Sequence, residues 1–179
     1  MTRRYFDNAA TSYPKPPVVA QAVQHYFAQG HASAGRGAYR EALAAARILD
    51  ECRTALRDLF GCRPDDHVIF ALSGTDALNL DIKGIVRPGE HVVTTCLEHN
   101  SVLRPLSALQ EQAGVTWTAV PVDPENTRLD PANLSAALQP QTRLVVLNHA
   151  SNVTGVVQPL EPIVELCRSR RVLLLVDAA

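Results

Sequence analysis

The sequence lacks the features that mark several large classes of protein. Its 179 residues contain no apolar run close to the roughly 20 residues that a membrane-spanning helix needs. The N-terminal residues Met1 to Tyr5 carry charge, but no apolar segment typical of a secretory signal follows them. The formal net charge is -1, and the basic residues are dispersed. We therefore predict a cytoplasmic protein that binds neither membrane nor nucleic acid.

Cysteine and glycine patterns exclude further classes. The four cysteines, Cys52, Cys62, Cys96 and Cys167, include no C-x-x-C pair, so we expect no structural zinc site and no bound metal. In a reducing compartment they are most simply free thiols. No G-x-G-x-x-G follows the first apolar strand run, which argues against a dinucleotide-binding oxidoreductase.

What the sequence does contain, from residue 66 onward, is an alternation of apolar runs with helix-length segments. The runs predict five strands, at 68–72, 92–95, 115–120, 144–147 and 172–176. The segments between them predict helices at about 75–86, 101–112, 131–138 and 160–170. Strands joined by helix-length crossovers indicate an α/β fold with a mostly parallel sheet flanked by helices.

An N-terminal helical arm precedes this alternation. Helix-type spacing of apolar residues predicts one helix over Pro16–Gln29 and a longer one over Tyr39–Phe60. Small residues from Gly30 to Gly37 predict a loop between them. The longer helix has its apolar stripe at Leu43, Ala46, Leu49, Leu56 and Leu59. We therefore divide the chain into an arm, residues 1–65, and a partial α/β domain, residues 66–179.

Polar clusters follow the predicted strands, at the end where ligands bind in open α/β sheets. The first is Ser73-Gly74-Thr75-Asp76, which opens a helix. Backbone N–H groups at a helix start, a Thr hydroxyl and a Gly that permits close approach suit a phosphate group. The alternative is an ordinary N-terminal cap, since Thr75 and Asp76 are good capping residues.

The second cluster is Glu98-His99-Asn100-Ser101. The His99 imidazole could stack on an aromatic cofactor or move a proton, or it could be a surface or capping residue. The third, from Asn148 to Gly155, offers amide and hydroxyl groups that either bind a ligand or build a turn. The fourth is Asp177, a carboxylate at the end of an apolar run, which needs a cationic partner in a ligand or in the protein.

Taken together, these clusters fit pyridoxal 5'-phosphate (PLP). The phosphate suits the helix start at Gly74, the ring face suits His99, and the ring hydroxyl suits Asn152. The Asp177 carboxylate would keep the pyridine nitrogen protonated, which makes the ring an electron sink.

Several segments together resemble the cysteine desulfurases, which are class V aminotransferase-like enzymes of PLP fold type I. The segments are Tyr5 to Pro16, Gly35-Arg36-Gly37, Ser73 to Asn79, Glu98 to Ser101, Asn148 to Gly155 and Val176 to Ala179. They span the whole chain in family-like order. The resemblance implies the large domain of fold type I, a PLP cofactor and a homodimer.

The resemblance also implies roles for single residues. Gly74, Thr75 and Asp76 would form the phosphate-binding turn, although Asp76 stands where Glu is more usual. His99 would stack on the ring and help to move protons, Asn152 would lie by the ring hydroxyl, and Asp177 would pair with the pyridine nitrogen. Arg36 would lie near the substrate entrance.

The family's later motifs have no counterpart in this chain. The lysine that binds the cofactor covalently, the nucleophilic Cys and the substrate-binding Arg all come after the strand Asp, and Lys15 and Lys83 are the only lysines here. The sequence therefore resembles the N-terminal portion of such an enzyme, which we expect to be inactive alone. The complete enzyme would convert L-cysteine to L-alanine and an enzyme-bound persulfide, with a sulfur-acceptor protein as a possible partner. A selenocysteine lyase, an aminotransferase, and a non-catalytic or split-enzyme module remain alternatives.

Overall fold

The computed structural model describes residues 4–30 and 32–179. Residues 1–3 of the predicted arm and His31 of the predicted loop lie outside these described residues. The chain divides into two compact units, Met1–Phe70 and Ala71–Ala179, which we describe separately. The predicted N-terminal arm, residues 1–65, falls within the first unit.

The first unit contains two helices, α1 (Pro17–Ala28) and α2 (Arg40–Leu59). Both predicted helices are confirmed to within one residue at each end. Pro17 begins α1, where a missing N–H costs nothing. The predicted apolar stripe of α2 is largely wrong, because its buried residues are Ala42 and Ala45. Three stripe leucines, Leu43, Leu49 and Leu59, are exposed, since α1 buries none of its residues and the described unit offers little surface to cover them.

The predicted first strand, Val68 to Leu72, is also wrong. These residues pair with no strand in the described part of the chain. Their apolar side chains stay accessible, with Ile69 76% and Leu72 96% exposed. An apolar run predicts the capacity to join a sheet, but a strand exists only where a neighbour completes its hydrogen bonds.

The second unit is built on a four-stranded parallel sheet in the order β2-β1-β3-β4. The sequence alternates as predicted through eight elements, listed in chain order: α3 (Gly74–Ile85), β1 (His91–Thr95), α4 (Asn100–Ala113), β2 (Thr116–Val120), α5 (Pro131–Ala137), β3 (Thr142–Asn148), α6 (Leu160–Arg170) and β4 (Leu173–Asp177). The remaining four predicted strands and all four predicted helices are confirmed within two residues. The predicted mostly parallel sheet flanked by helices is therefore confirmed.

Helices cover both faces of this sheet. On one face, α3 and α4 pack with Val92, Leu144 and Val146 in a buried cluster. On the other face, α5 and α6 pack with Val93, Val145 and Leu147. Successive strand residues point to opposite faces, so each central strand supplies both clusters. This packing fixes the position at which each strand ends and the direction in which it points.

Strand β4 is only partly buried, although its sequence is an apolar run. In the described sheet β4 pairs only with β3, and its residues are half-buried or exposed. A parallel strand is buried throughout only when both of its edges and both of its faces are covered.

Candidate functional site

The carboxyl ends of the parallel strands meet at one edge of the sheet. Strands β1, β3 and β4 end at Thr95, Asn148 and Asp177. Asn148 and Asp177 are direct register partners, and the N–H of His149 donates to the carbonyl of Asp177 at 2.9 Å. The segments after these three strands therefore begin side by side, as their positions in the sequence predict.

The start of α3 forms the first part of the candidate site. Ser73 is the N-cap, and its Oγ accepts a hydrogen bond from the Asp76 N–H at 3.1 Å. The Asp76 carboxylate in turn accepts from the Leu72 N–H at 3.2 Å. This reciprocal pair resembles a capping box and fixes the direction of the first helical turn. The cluster therefore does cap the helix, as the alternative interpretation predicts, and Ser73 is the capping residue.

Capping leaves the first donors of α3 available. The N–H groups of Gly74 and Thr75 and the Thr75 hydroxyl make no hydrogen bond to the described residues. All three groups lie on an exposed turn at the positive end of the helix dipole. A methyl group on Gly74 would lie 3.9 Å from the Cβ of Ala179, which places this turn beside the end of β4. An anion at the turn would therefore sit close to the segment that follows Asp177.

His99 is the N-cap of α4. Its Nδ1 accepts from the Ser101 N–H at 3.1 Å and lies 2.8 Å from the Ser101 Oγ. A backbone N–H can only donate, so the neutral imidazole carries its proton on Nε2. The capping and functional alternatives are compatible here, because the cap holds the ring in one orientation while the residue stays exposed.

Asp177 presents a half-buried carboxylate at the end of β4. Its Oδ1 accepts from the Ala179 N–H at 3.1 Å. No Lys, Arg or His side chain among the described residues forms an ion pair with it. The cationic partner that its position calls for is thus not supplied by the part of the chain that the structure covers.

Asn152 lies at the exposed tip of the loop after β3. The buried Ser151 shapes that tip, because its Oγ accepts from the N–H groups of Val153 and Thr154, both at 3.2 Å. Gly155, with φ +71°, returns the chain, and an antiparallel bridge between Ala150 and Val157 closes the loop. No hydrogen bond holds the Asn152 side chain within the described residues, so its amide stays available to a ligand.

Three other residues named in the sequence analysis are Arg36, Lys15 and Lys83. Arg36 is an exposed residue of a bend in the first unit, and its role at a substrate entrance stays a prediction. Lys15, also in the first unit, donates to the Thr11 Oγ1 at 2.8 Å. Lys83 is exposed and stands nine residues beyond Gly74 in α3, about 13 Å along the helix axis. Most of the length of α3 therefore separates Lys83 from the phosphate-binding turn that the sequence predicts.

The sequence reasoning assigned no role to Glu98. This residue is only 7% exposed, and its Oε1 accepts from the Thr95 Oγ1 at 2.8 Å and the Asn148 N–H at 3.0 Å. Burial raises the pKa of its carboxyl to about 7, against the lowering effect of these hydrogen bonds, and the charge of Asp177 raises it further. The sequence does show a carboxyl group shortly after a buried strand, and this pattern could have marked Glu98 as a candidate. Whether a loop residue is buried, however, cannot be read from the sequence.

The groups at this edge fit PLP by their chemistry. Free N–H donors and a hydroxyl suit a phosphate, an oriented imidazole suits a ring face, and an uncompensated carboxylate suits a protonated ring nitrogen. A metal fits less well, since no cluster of three His, Cys, Asp or Glu side chains within residues 4–30 and 32–179 is placed to hold one. None of the helices in the described part of the chain combines the length and the apolar character that crossing a bilayer requires.

Comparison with known proteins gives consistent matches along the chain. Residues 4–179 match the family model described as aminotransferase class-V. A probable cysteine desulfurase of Methanothermobacter thermautotrophicus is 35% identical over 176 residues, which cover 98% of this chain and 43% of that protein. The apo cysteine desulfurase of Thermococcus onnurineus superposes with a TM-score of 0.87 at 29% identity, covering 98% of this chain and 44% of that one.

A mutant of the cystine C–S lyase C-DES gives a further structural match. It carries glycine covalently linked to its PLP cofactor, and it superposes with a TM-score of 0.77 at 25% identity over 91% of this chain and 43% of that chain. This chain thus spans less than half the length of each of these three proteins.

Proposed function

The chain belongs to the aminotransferase class-V family, and we propose that it forms the N-terminal part of a PLP-dependent cysteine desulfurase. In the whole protein, this portion would bind the cofactor and help to convert L-cysteine to L-alanine and an enzyme-bound persulfide. The similarity to a probable cysteine desulfurase and to a solved one supports the substrate class. We further propose a cytoplasmic homodimer that passes its sulfur to an acceptor protein.

One observation carries the proposal for the cofactor. The available N–H groups of Gly74 and Thr75 lie beside the segment that follows the unpaired carboxylate of Asp177. We propose that the first binds an anion and the second a cation, at one edge of one sheet. A ligand that carries a phosphate and a protonated ring nitrogen would satisfy both at once.

Each residue would perform a limited task. Gly74 and Thr75 would donate N–H groups to the phosphate, and the helix dipole would favour its charge. Asp177 would hold a proton on the ring nitrogen by its negative charge, and Asn152 would donate to the ring hydroxyl. When bound, PLP supplies an electron sink for negative charge that develops at the amino-acid Cα.

His99 would combine a positioning and a proton-transfer role. Its cap to Ser101 fixes the ring, and the proton on Nε2 faces away from that cap. An imidazole can accept a proton at one ring nitrogen and donate one from the other. His99 would therefore stack against the bound ring and carry a proton between the substrate and solvent.

A binding titration tests this function. We expect the purified chain to bind PLP saturably, followed by absorbance and fluorescence, and Asp177→Asn to weaken that affinity about tenfold or more because an uncharged amide no longer favours the ring cation. Asp81→Asn, which removes an exposed carboxylate from α3, is the matched control and should bind as the wild type does. Equal PLP affinity in the Asp177 and Asp81 variants would contradict the assignment of Asp177.

A further inference from the structure

Glu98 joins two segments of the candidate site through one carboxyl oxygen. It stands between β1 and α4, directly before His99. The Glu98 Oε1 receives the Thr95 hydroxyl from β1 and the Asn148 N–H from β3. The Asn148 side chain adds a second link by donating to the Leu97 carbonyl at 3.3 Å. The loop that carries His99 is thereby fixed to the end of β3.

The second carboxyl oxygen of Glu98 is not used by these links. Its Oε2 is buried and has no hydrogen-bond partner among the described residues. An ionised carboxylate would leave part of its charge on this atom without a donor from the described residues, which is costly in a buried site. A proton on the carboxyl group removes that charge while Oε1 keeps both of its hydrogen bonds.

A glutamine at this position could accept the same two hydrogen bonds through its Oε1 and would carry no buried charge, but it would bring two N–H donors to the buried position of Oε2. A protonated carboxyl group brings one O–H there, and an ionised carboxylate brings no donor. What further distinguishes Glu98 from glutamine is that it can gain and lose a proton.

The charged groups around Glu98 indicate what such a titration responds to. β1 offers the Thr95 hydroxyl and β3 offers the Asn148 N–H, neither of which titrates in this range. β4 offers the Asp177 carboxylate, whose negative charge acts on Glu98 and disfavours its ionisation. His99 is the titratable neighbour on the same loop, and its Nδ1 is engaged with Ser101.

We propose that Glu98 is a positioning residue that holds a proton while Asp177 has no cationic partner and releases it when Asp177 acquires one. The identity of that cation as the protonated nitrogen of PLP rests on the proposed function. The coupling between the two carboxyl groups does not, because it is a property of the chain itself.

The proton balance of this exchange is simple. The exchange starts from the protonated form of Glu98, which is neutral, beside the negatively charged Asp177. On binding, the O–H bond of Glu98 breaks, its proton passes to solvent, and the ring cation neutralises Asp177. The charge summed over Glu98, Asp177 and the ring nitrogen stays the same, and the ionised Glu98 accepts the Thr95 and Asn148 hydrogen bonds more strongly. Cofactor binding would thus tighten the link that positions His99.

The coupling is tested first without cofactor. The Glu Cδ carbons of the chain are labelled with 13C and followed by NMR as pH is varied, and the Glu98 signal is identified by its loss in Glu98→Gln. We expect a midpoint near 7 that falls in Asp177→Asn, where the neighbouring negative charge is gone, while burial still keeps it above the ordinary value of 4.5. Asp81→Asn should leave the midpoint unchanged. A midpoint that is the same in Asp177→Asn and wild type would overturn the proposal.

Proton release is then measured with PLP as the probe, by calorimetry in buffers of different ionisation enthalpy. Near pH 7 the wild type should release more protons per bound PLP than Glu98→Gln, by up to about half a proton, because a group at its midpoint is half protonated and can lose no more than that. The proton on the ring nitrogen is common to both proteins and cancels in the difference. Glu165→Gln, an exposed substitution on α6, should behave as the wild type does.

The two measurements separate this inference from the proposed function. An NMR midpoint that responds to Asp177→Asn in a chain that does not bind PLP would support the coupling and count against the function. PLP binding with identical proton release in wild type and Glu98→Gln would support the function and overturn the coupling.

Discussion

Gly74 at the start of α3 lies against Ala179, the residue two positions after Asp177. A methyl group on Gly74 would meet the Cβ of Ala179 at 3.9 Å, which is an ordinary van der Waals contact. The turn that we assign to the phosphate and the strand end that we assign to the ring nitrogen are therefore neighbours. Gly74 is also a position where binding and folding can be separated by a single substitution.

Gly74→Ala should leave the fold intact and weaken PLP binding. Alanine at the first turn of a helix is expected to raise the free energy of unfolding by about 0.5 kcal/mol, because glycine loses more backbone entropy on folding. The added methyl group would occupy space at the exposed N–H groups, and we expect PLP affinity to fall several-fold. Chemical denaturation and PLP titration measure the two effects. Unchanged affinity would contradict the assignment of the phosphate to this turn.

Ser73→Ala should destabilise the start of α3. The Ser73 Oγ accepts the Asp76 N–H at the N-cap, and loss of such a cap costs about 1 kcal/mol in free energy of unfolding. Ser107→Ala, at an exposed position inside α4, serves as the control and should change stability little. Equal stability losses in the two variants would show that the cap contributes nothing.

Glu98→Gln should stabilise the chain at high pH. The pKa of Glu98 in the folded state is about 7 and its ordinary value is 4.5, so protonation favours the folded state. Wild-type stability then falls as pH rises from about 4.5 through 7, whereas the variant cannot ionise. We expect its advantage in free energy of unfolding to reach on the order of 2 kcal/mol by about pH 8. Glu165→Gln should show no such pH-dependent gain when unfolded in urea under the same conditions.

His91 should make the chain less stable in mild acid. This residue is 1% exposed, and its two ring nitrogens contact the hydroxyls of Thr142 at 2.8 Å and Thr118 at 2.9 Å. Burial lowers its pKa below the ordinary 6.5, so protonation favours the unfolded state. Stability is therefore lost as pH falls from 6.5 towards the lower pKa of the folded state.

Urea unfolding at about pH 7.5 and about pH 5.5 measures this loss. On going from the higher to the lower pH, the change in the free energy of unfolding should be less favourable for the wild type than for His91→Gln. The opposing contribution of Glu98 is common to both proteins and does not affect the difference. His67→Gln, which removes an exposed histidine of the first unit, should keep the wild-type pH dependence. A wild-type change equal to that of His91→Gln would contradict the role of His91.

The sequence predicts the local elements of the second unit well because their boundaries are local. Asp130 caps α5 with its own side chain, Pro131 occupies its first turn, and Gly114 ends α4 in the left-handed conformation. Such signals involve neighbouring residues and can be read without tertiary structure. The clustering of polar residues at the strand ends follows equally directly from a parallel sheet.

Features that depend on a distant partner could not be predicted. Val68 to Leu72 has the composition of a strand but pairs with none in the described part of the chain. The burial of Glu98 depends on Asn148, fifty residues further along the chain. For His99, sequence reasoning left stacking and capping open, and only the bond to Ser101 shows that the ring is held by its own helix.

The alternation of β3 between the two cores connects packing to the geometry of the candidate site. Leu144 and Val146 fill one core, and Val145 and Leu147 fill the other. Deleting a single residue from β3 would exchange these faces and also carry the Asn148 N–H away from Glu98. The number of residues in β3 therefore meets two requirements at once. It keeps the alternating side chains in their two cores, and it brings the backbone N–H of Asn148 to Glu98 at the sheet edge.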